Sequence, residues 1–93
     1  MDELRKGDVF TETVYQVRLQ VTYMREGDVH YNTENISYTE ERPARETYDV
    51  AVALAGLGVP ENHKFVEEYL GNCGHLREVT GLFKVDITTT RLE

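Results

Sequence analysis

The segment Val14 to Thr39, VYQVRLQVTYMREGDVHYNTENISYT, decides how this chain folds. Its first ten residues alternate with period two. Tyr15, Val17, Leu19, Val21 and Tyr23 fall on one face, and Gln16, Arg18, Gln20 and Thr22 on the other. Such alternation marks a half-buried β-strand. The run Arg25-Glu26-Gly27-Asp28 then interrupts it with turn chemistry, because Gly27 takes positive φ without a steric penalty and Asp28 tolerates turn geometry.

A second strand is expected from Val29 to Thr39, and the hairpin register decides its faces. With Gly27-Asp28 as a two-residue loop, Leu19 opposes Ile36 and Val17 opposes Tyr38, which keeps the apolar residues on the core face. A three-residue loop would turn Ile36 and Tyr38 to the polar face, so the two-residue loop is preferred. The same register gathers Met24, Val29 and Tyr31 on the opposite face near the turn, an apolar patch with no evident cover.

Further along, Pro43 suits the first turn of a helix, where its missing N–H costs nothing, and a helix is expected from Pro43 to about Ala55. Tyr48, Val52 and Ala55 form its apolar stripe, widened by Ala51 and Leu54. Gly56 and Gly58 supply the stop through a left-handed C-cap. A second helix is expected from Pro60 to Leu70, with Glu61 near its positive end and Phe65, Val66, Tyr69 and Leu70 on one face; Gly71 to Gly74 ends it. The last strand is expected from about Glu78 to Arg91, with Val79, Phe83, Val85 and Ile87 on one face and Lys84, Asp86 and Thr88 on the other. Gly81 allows a bend there.

The order β-β-α-α-β predicts a small single α+β domain over residues 1–91, with an antiparallel sheet of about three strands packed on two short helices. Residues 1–8 are expected to be flexible, and Leu92-Glu93 reads as a cloning remnant. The first and last strands exceed the usual five or six residues, which implies curvature or pairing with a second copy.

Composition narrows the function classes. The 93 residues are 40% hydrophobic and 29% charged, within the globular range. Seventeen acidic residues against ten basic ones give a net charge of −7. That charge disfavours nucleic acid and anionic membranes as partners, since both repel a negative surface. From Glu34 to Glu68 there are eight acidic residues and three basic ones, so most of the acidity falls on the helical middle. No apolar run approaches the roughly 18 residues of a membrane span. Met1 to Gly7 lacks the apolar stretch of a secretory signal, which makes a cytoplasmic location the default expectation. Asn35-Ile36-Ser37 fits a glycosylation acceptor, a pattern without consequence outside an exported protein.

Cys73-Gly74-His75, with His63 twelve residues before His75, is the one cluster with soft ligands or a possible nucleophile and base. Zinc needs about four ligands at recognisable spacing, and three scattered residues do not supply them, so no metal is expected. A thiol nucleophile needs a base within hydrogen-bond reach, which this spacing does not guarantee. The bland reading is a turn carrying a half-buried cysteine and a solvated histidine. The pairs Glu40-Glu41 and Glu67-Glu68 point about 100° apart on a helix and read as a solvated acidic face. Six of the nine aromatic residues are tyrosine; without a basic groove they read as core margin or protein interface rather than as a base-stacking platform. Gly56-Leu57-Gly58-Val59-Pro60 lacks the preceding strand and third glycine of a phosphate loop.

No stretch carries a family signature, and neither a catalytic residue nor a cofactor is indicated. The first functional expectation is a non-enzymatic interaction or assembly module, a homodimer or a binder of another protein, joined through an open strand edge or the Met24, Val29 and Tyr31 patch. The second is a small-molecule binder or weak thiol-dependent enzyme with His63, Cys73 and His75 at the rim of a pocket between helices and sheet. The third is an acidic decoy of nucleic acid that occupies a basic protein groove.

Overall fold

The computed structural model describes residues 7–58 and 60–93. Three strands, β1 (Val9–Arg25), β2 (Asp28–Tyr38) and β3 (His75–Thr90), form one antiparallel sheet in the order β2-β1-β3. Helices α1 (Glu41–Ala55) and α2 (Glu61–Leu70) lie between β2 and β3 in sequence and cover one face of the sheet. The expected α+β class, element order and hairpin are all present. Of the segment expected to be flexible, residues 1–6 lie outside the described residues; the Gly7 N–H donates to the Arg91 carbonyl and the Arg91 N–H to that of Asp8.

The period-two face of β1 forms the centre of the core. Val17, Leu19, Val21 and Tyr23 are buried with Ala51, Phe65, Val66 and Leu76, while Ile36, Tyr48, Leu54 and Leu82 pack around them. A fully buried Val or Leu contributes about 1.5–3 kcal/mol relative to exposure, so loss of any one of these side chains is a large fraction of a small domain's stability.

The hairpin register differs from expectation by two residues. The loop is Glu26-Gly27, with φ of 52° and 84°, and Arg25 pairs with Asp28. Val17 therefore opposes Ile36, and Leu19 opposes Glu34. Two positive φ values match the twist of a tight hairpin, which favours this loop although glutamate rarely adopts such a backbone. A shift of two preserves side-chain faces, so Ile36 and Tyr38 still point to the core.

Strand β3 departs further. Register shifts opposite Arg18/Leu19 and Gln20/Val21 leave Thr80 and Arg77 as extra residues, each a β-bulge. Leu76, Val79 and Leu82 oppose Val21, Leu19 and Val17, so core residues recur every third position on β3 and every second on β1. Phe83, Val85 and Ile87, expected on the face of Val79, instead lie opposite Gln16, Val14 and Glu12 on the outer face. The bulge at Thr80 reverses the phase between them.

Helix α1 begins at Glu41 rather than Pro43, which leaves the proline in the first turn, where it costs no hydrogen bond. Its buried residues are Ala44, Thr47 and Ala51, and Val52, expected on the apolar stripe, is exposed. Two alanines let the helix sit close to the sheet. Tyr38 and Thr47 hydroxyls hydrogen-bond at 2.6 Å and tie α1 to the end of β2. The expected left-handed cap at Gly56 is absent, since that residue is right-handed at φ −91°, whereas Gly71 closes α2 with φ 71°.

Beyond Tyr15, the partner of Tyr38 at the end of β2, the residues from Val9 to Val14 pair only with β3 and form a two-stranded ribbon. The radius of gyration is 16.7 Å, against about 12 Å for a compact chain of this length. The ribbon accounts for the elongation.

Candidate functional site

Two regions can carry function: a cavity at the start of β3, and the free edge of β2 with the patch beside it.

The cavity encloses about 280 Å³ and is lined by Thr22, Met24, His63, Cys73, Gly74 and His75. The fold brings together the three residues singled out from sequence. His63 comes from α2, Cys73 from the following loop and His75 from the first position of β3, beside Thr22. The two imidazole rings meet edge to face, with centroids 5.5 Å apart, and Cys73 is a free, exposed thiol. Among the described residues, no carboxylate lines this opening. Among the described residues no group of three or more His, Cys, Asp or Glu side chains is arranged to hold a metal ion.

Gly74 has a packing reason to be glycine. A Cβ there would lie 2.6 Å from Cε1 of Tyr23 and 3.1 Å from the carbonyl oxygen of Thr22. Tyr23 itself is buried, and its hydroxyl makes no hydrogen bond of ordinary length. Burial raises its phenol pKa above the ordinary value; the Glu34 carboxylate adds to this, while the Asn72 amide and the Arg25 charge oppose it.

Asn62 was not legible as a key residue, yet it anchors this region. It is fully buried, its amide donates to the carbonyls of Leu54 at 3.2 Å and Leu76 at 2.8 Å, and its Oδ1 accepts the Leu76 N–H. One side chain thus joins the end of α1, the start of α2 and the start of β3. Its spacing of three and four from Phe65 and Val66, on the buried face of α2, is the signal that would have found it.

The second region starts at the hairpin tip. Met24 opposes Val29, and Tyr31 opposes Thr22, so the three apolar residues share the outer face as expected. They are 65%, 47% and 62% exposed, respectively. Arg77, the extra residue of the bulge on β3, reaches across β1 to lie 4.9 Å from the centre of the Tyr31 ring. Arg18 covers Phe83 on the same face at 4.3 Å. Each cation–π contact of this kind is worth about 0.5–1 kcal/mol when exposed.

The two open edges of the sheet differ. All eleven residues of β2 pair with β1 without a register shift, and the strand contains no Pro, Lys or Arg. On β3 the two bulges, Arg77 and Lys84 interrupt or charge the edge. The carboxylate pairs are surface groups: Glu41 makes only a 3.9 Å pair with Arg45, and Glu68 borders a shallow groove between α1 and α2. Among the described residues no helix is long and apolar enough to cross a membrane. The chain matches no protein-family model, and no curated protein or solved structure resembles it at a significant level.

Proposed function

We propose that this chain is a non-enzymatic assembly module that pairs with a second copy of itself along the free edge of β2. The carrying observation is the regular open edge: eleven residues with no bulge, no proline and no lysine or arginine. Such an edge presents a row of backbone donors and acceptors that another strand can pair with. The exposed Met24, Val29 and Tyr31 beside it add apolar area at one end. A closed two-fold pair satisfies both copies with the same surface and ends growth at the dimer. The net charge of −7 also speaks against a nucleic-acid partner.

Sedimentation of the Tyr31→Lys variant beside the parent tests this interface. The account expects the dissociation constant to rise at least about tenfold, which corresponds to about 1.4 kcal/mol. An unchanged mass distribution would remove the interface.

The convergence of His63, Cys73 and His75 on one cavity favours a second reading, a small-molecule site that uses the thiol. It requires an activated thiol, so Cys73 should react with iodoacetamide faster than a model thiol. A rate equal to or below that of the model thiol would eliminate it.

A further inference from the structure

We infer that the two copies cross at Thr33, so that Thr33 of one copy faces Thr33 of the other and the paired strands form a continuous six-stranded sheet. This rests on the assembly reading above and adds the register. The two-residue turn Glu26-Gly27 is closed by Arg25 and Asp28. In a hairpin of this type the closing pair exchanges both backbone hydrogen bonds, and bonded and non-bonded pairs then alternate along the ladder. Asp28, His30, Asn32, Glu34, Ile36 and Tyr38 therefore direct their backbone groups to β1. Val29, Tyr31, Thr33, Asn35 and Ser37 direct theirs to the open edge.

A two-fold axis lays β2 antiparallel on itself, and side chains keep their faces only if one residue sits on the axis opposite its own copy. Each possible centre has a different cost. Centring on Glu34 sets two carboxylates face to face, and centring on Tyr31 sets Asp28 against the other copy's Glu34; like charges directly opposed are destabilising. Centring on Asn32 leaves the outward groups of Ser37 without a partner strand, and centring on Asn35 leaves those of Val29 and Tyr31. Thr33 is the midpoint of Asp28–Tyr38. Centring there matches Val29 with Ser37, Tyr31 with Asn35 and Thr33 with itself, so every outward N–H and C=O of the strand gains a partner. On the other face it places the Asn32 amide opposite the Glu34 carboxylate, and no like charges meet.

Disulfide trapping tests the register, with Cys73→Ser as the background. A self-facing bonded pair has its Cα atoms about 5.5 Å apart, within disulfide range, whereas residues one position off the axis are separated by more than about 7 Å and cannot bridge. Under mild oxidation Thr33→Cys should form covalent dimer at least about tenfold faster than Asn32→Cys or Glu34→Cys alone. A mixture of those two variants should crosslink, because positions 32 and 34 face each other across the axis. If the parent is dimeric but trapping is fastest at another single position, the Thr33 register is overturned and the assembly reading stands. If the parent is monomeric and no position traps, both fall.

Discussion

Strands β2 and β3 flank the same central strand, yet they are secured in opposite ways. At its start β3 is fixed to both helices through Asn62, and its edge is broken by bulges at Arg77 and Thr80. Strand β2 is held mainly by its regular ladder with β1 and, at its end, by the Tyr38–Thr47 hydrogen bond. The flank that is anchored is also the flank that is guarded. Among the described residues only β1 pairs with β2, which leaves the outer backbone groups of that strand to water or another chain.

The most severe way to disturb this contrast is to release the anchor. Asn62→Ala orphans the buried N–H and C=O of Leu76, and urea unfolding should show a loss of about 3 kcal/mol, since each unsatisfied buried group costs about 1–3 kcal/mol. A loss below about 0.5 kcal/mol would show that β3 is held by packing alone.

The contrast is sharpened by removing the guards. Deleting Arg77 and Thr80 leaves the pairings of Leu76, Val79 and Leu82 with β1 intact while making β3 a regular edge. With two open edges the chain should grow beyond a dimer, visible as rising mass in light scattering; a mass that stays at the parent value would show that the bulges do not protect that edge.

Smaller effects come from the ends of the hairpin. Because burial raises the Tyr23 pKa, the folded state retains this proton at pH values where the unfolded chain has lost it. The contribution is complete below pH about 10 and declines as pH rises above it. Thermal melts from pH 9 to 11 should lose less stability in Tyr23→Phe than in the parent; parallel losses would contradict the assignment. Smallest of all, Glu26→Asn should stabilise by about 0.5–1 kcal/mol, because asparagine accepts the positive φ of this turn more readily. No gain in the urea midpoint would count against backbone strain at Glu26.

How far the fold could be read in advance followed the regularity of the strands. In β1 every second side chain meets the core, so its alternation was visible directly. Sequence points to Gly27-Asp28 rather than Glu26-Gly27 because glutamate is a poor candidate for φ of 52°, but a two-residue slip leaves faces unchanged, and Ile36 and Tyr38 point to the core in either register. In β3 the bulges replace period two with period three, so a period-two reading puts Phe83 on the face of Val79 and passes over Leu82. Val52 misled in α1 because hydrophobicity outranked fit, whereas close helix–sheet approach selected Ala44 and Ala51. At the cavity, the proximity of His63, Cys73 and His75 was anticipated in outline. The reason for Gly74 was not, because it depends on the Tyr23 ring, fifty-one positions away in the chain.

Light scattering across a dilution series, on the parent and on Thr33→Pro side by side, tests the central claim most directly. Proline at this position removes an outward N–H without removing a backbone hydrogen bond to β1, and Thr33→Val, which loses only the exposed side-chain bond from the Gln20 amide, is the control for that contact. The account predicts a parent mass near twice the 10.7 kDa of one chain, and a proline variant that stays folded by circular dichroism but dissociates at concentrations where the parent does not. A parent that remains at the single-chain mass at every concentration, or a folded proline variant that dimerises as tightly as the parent, would contradict it.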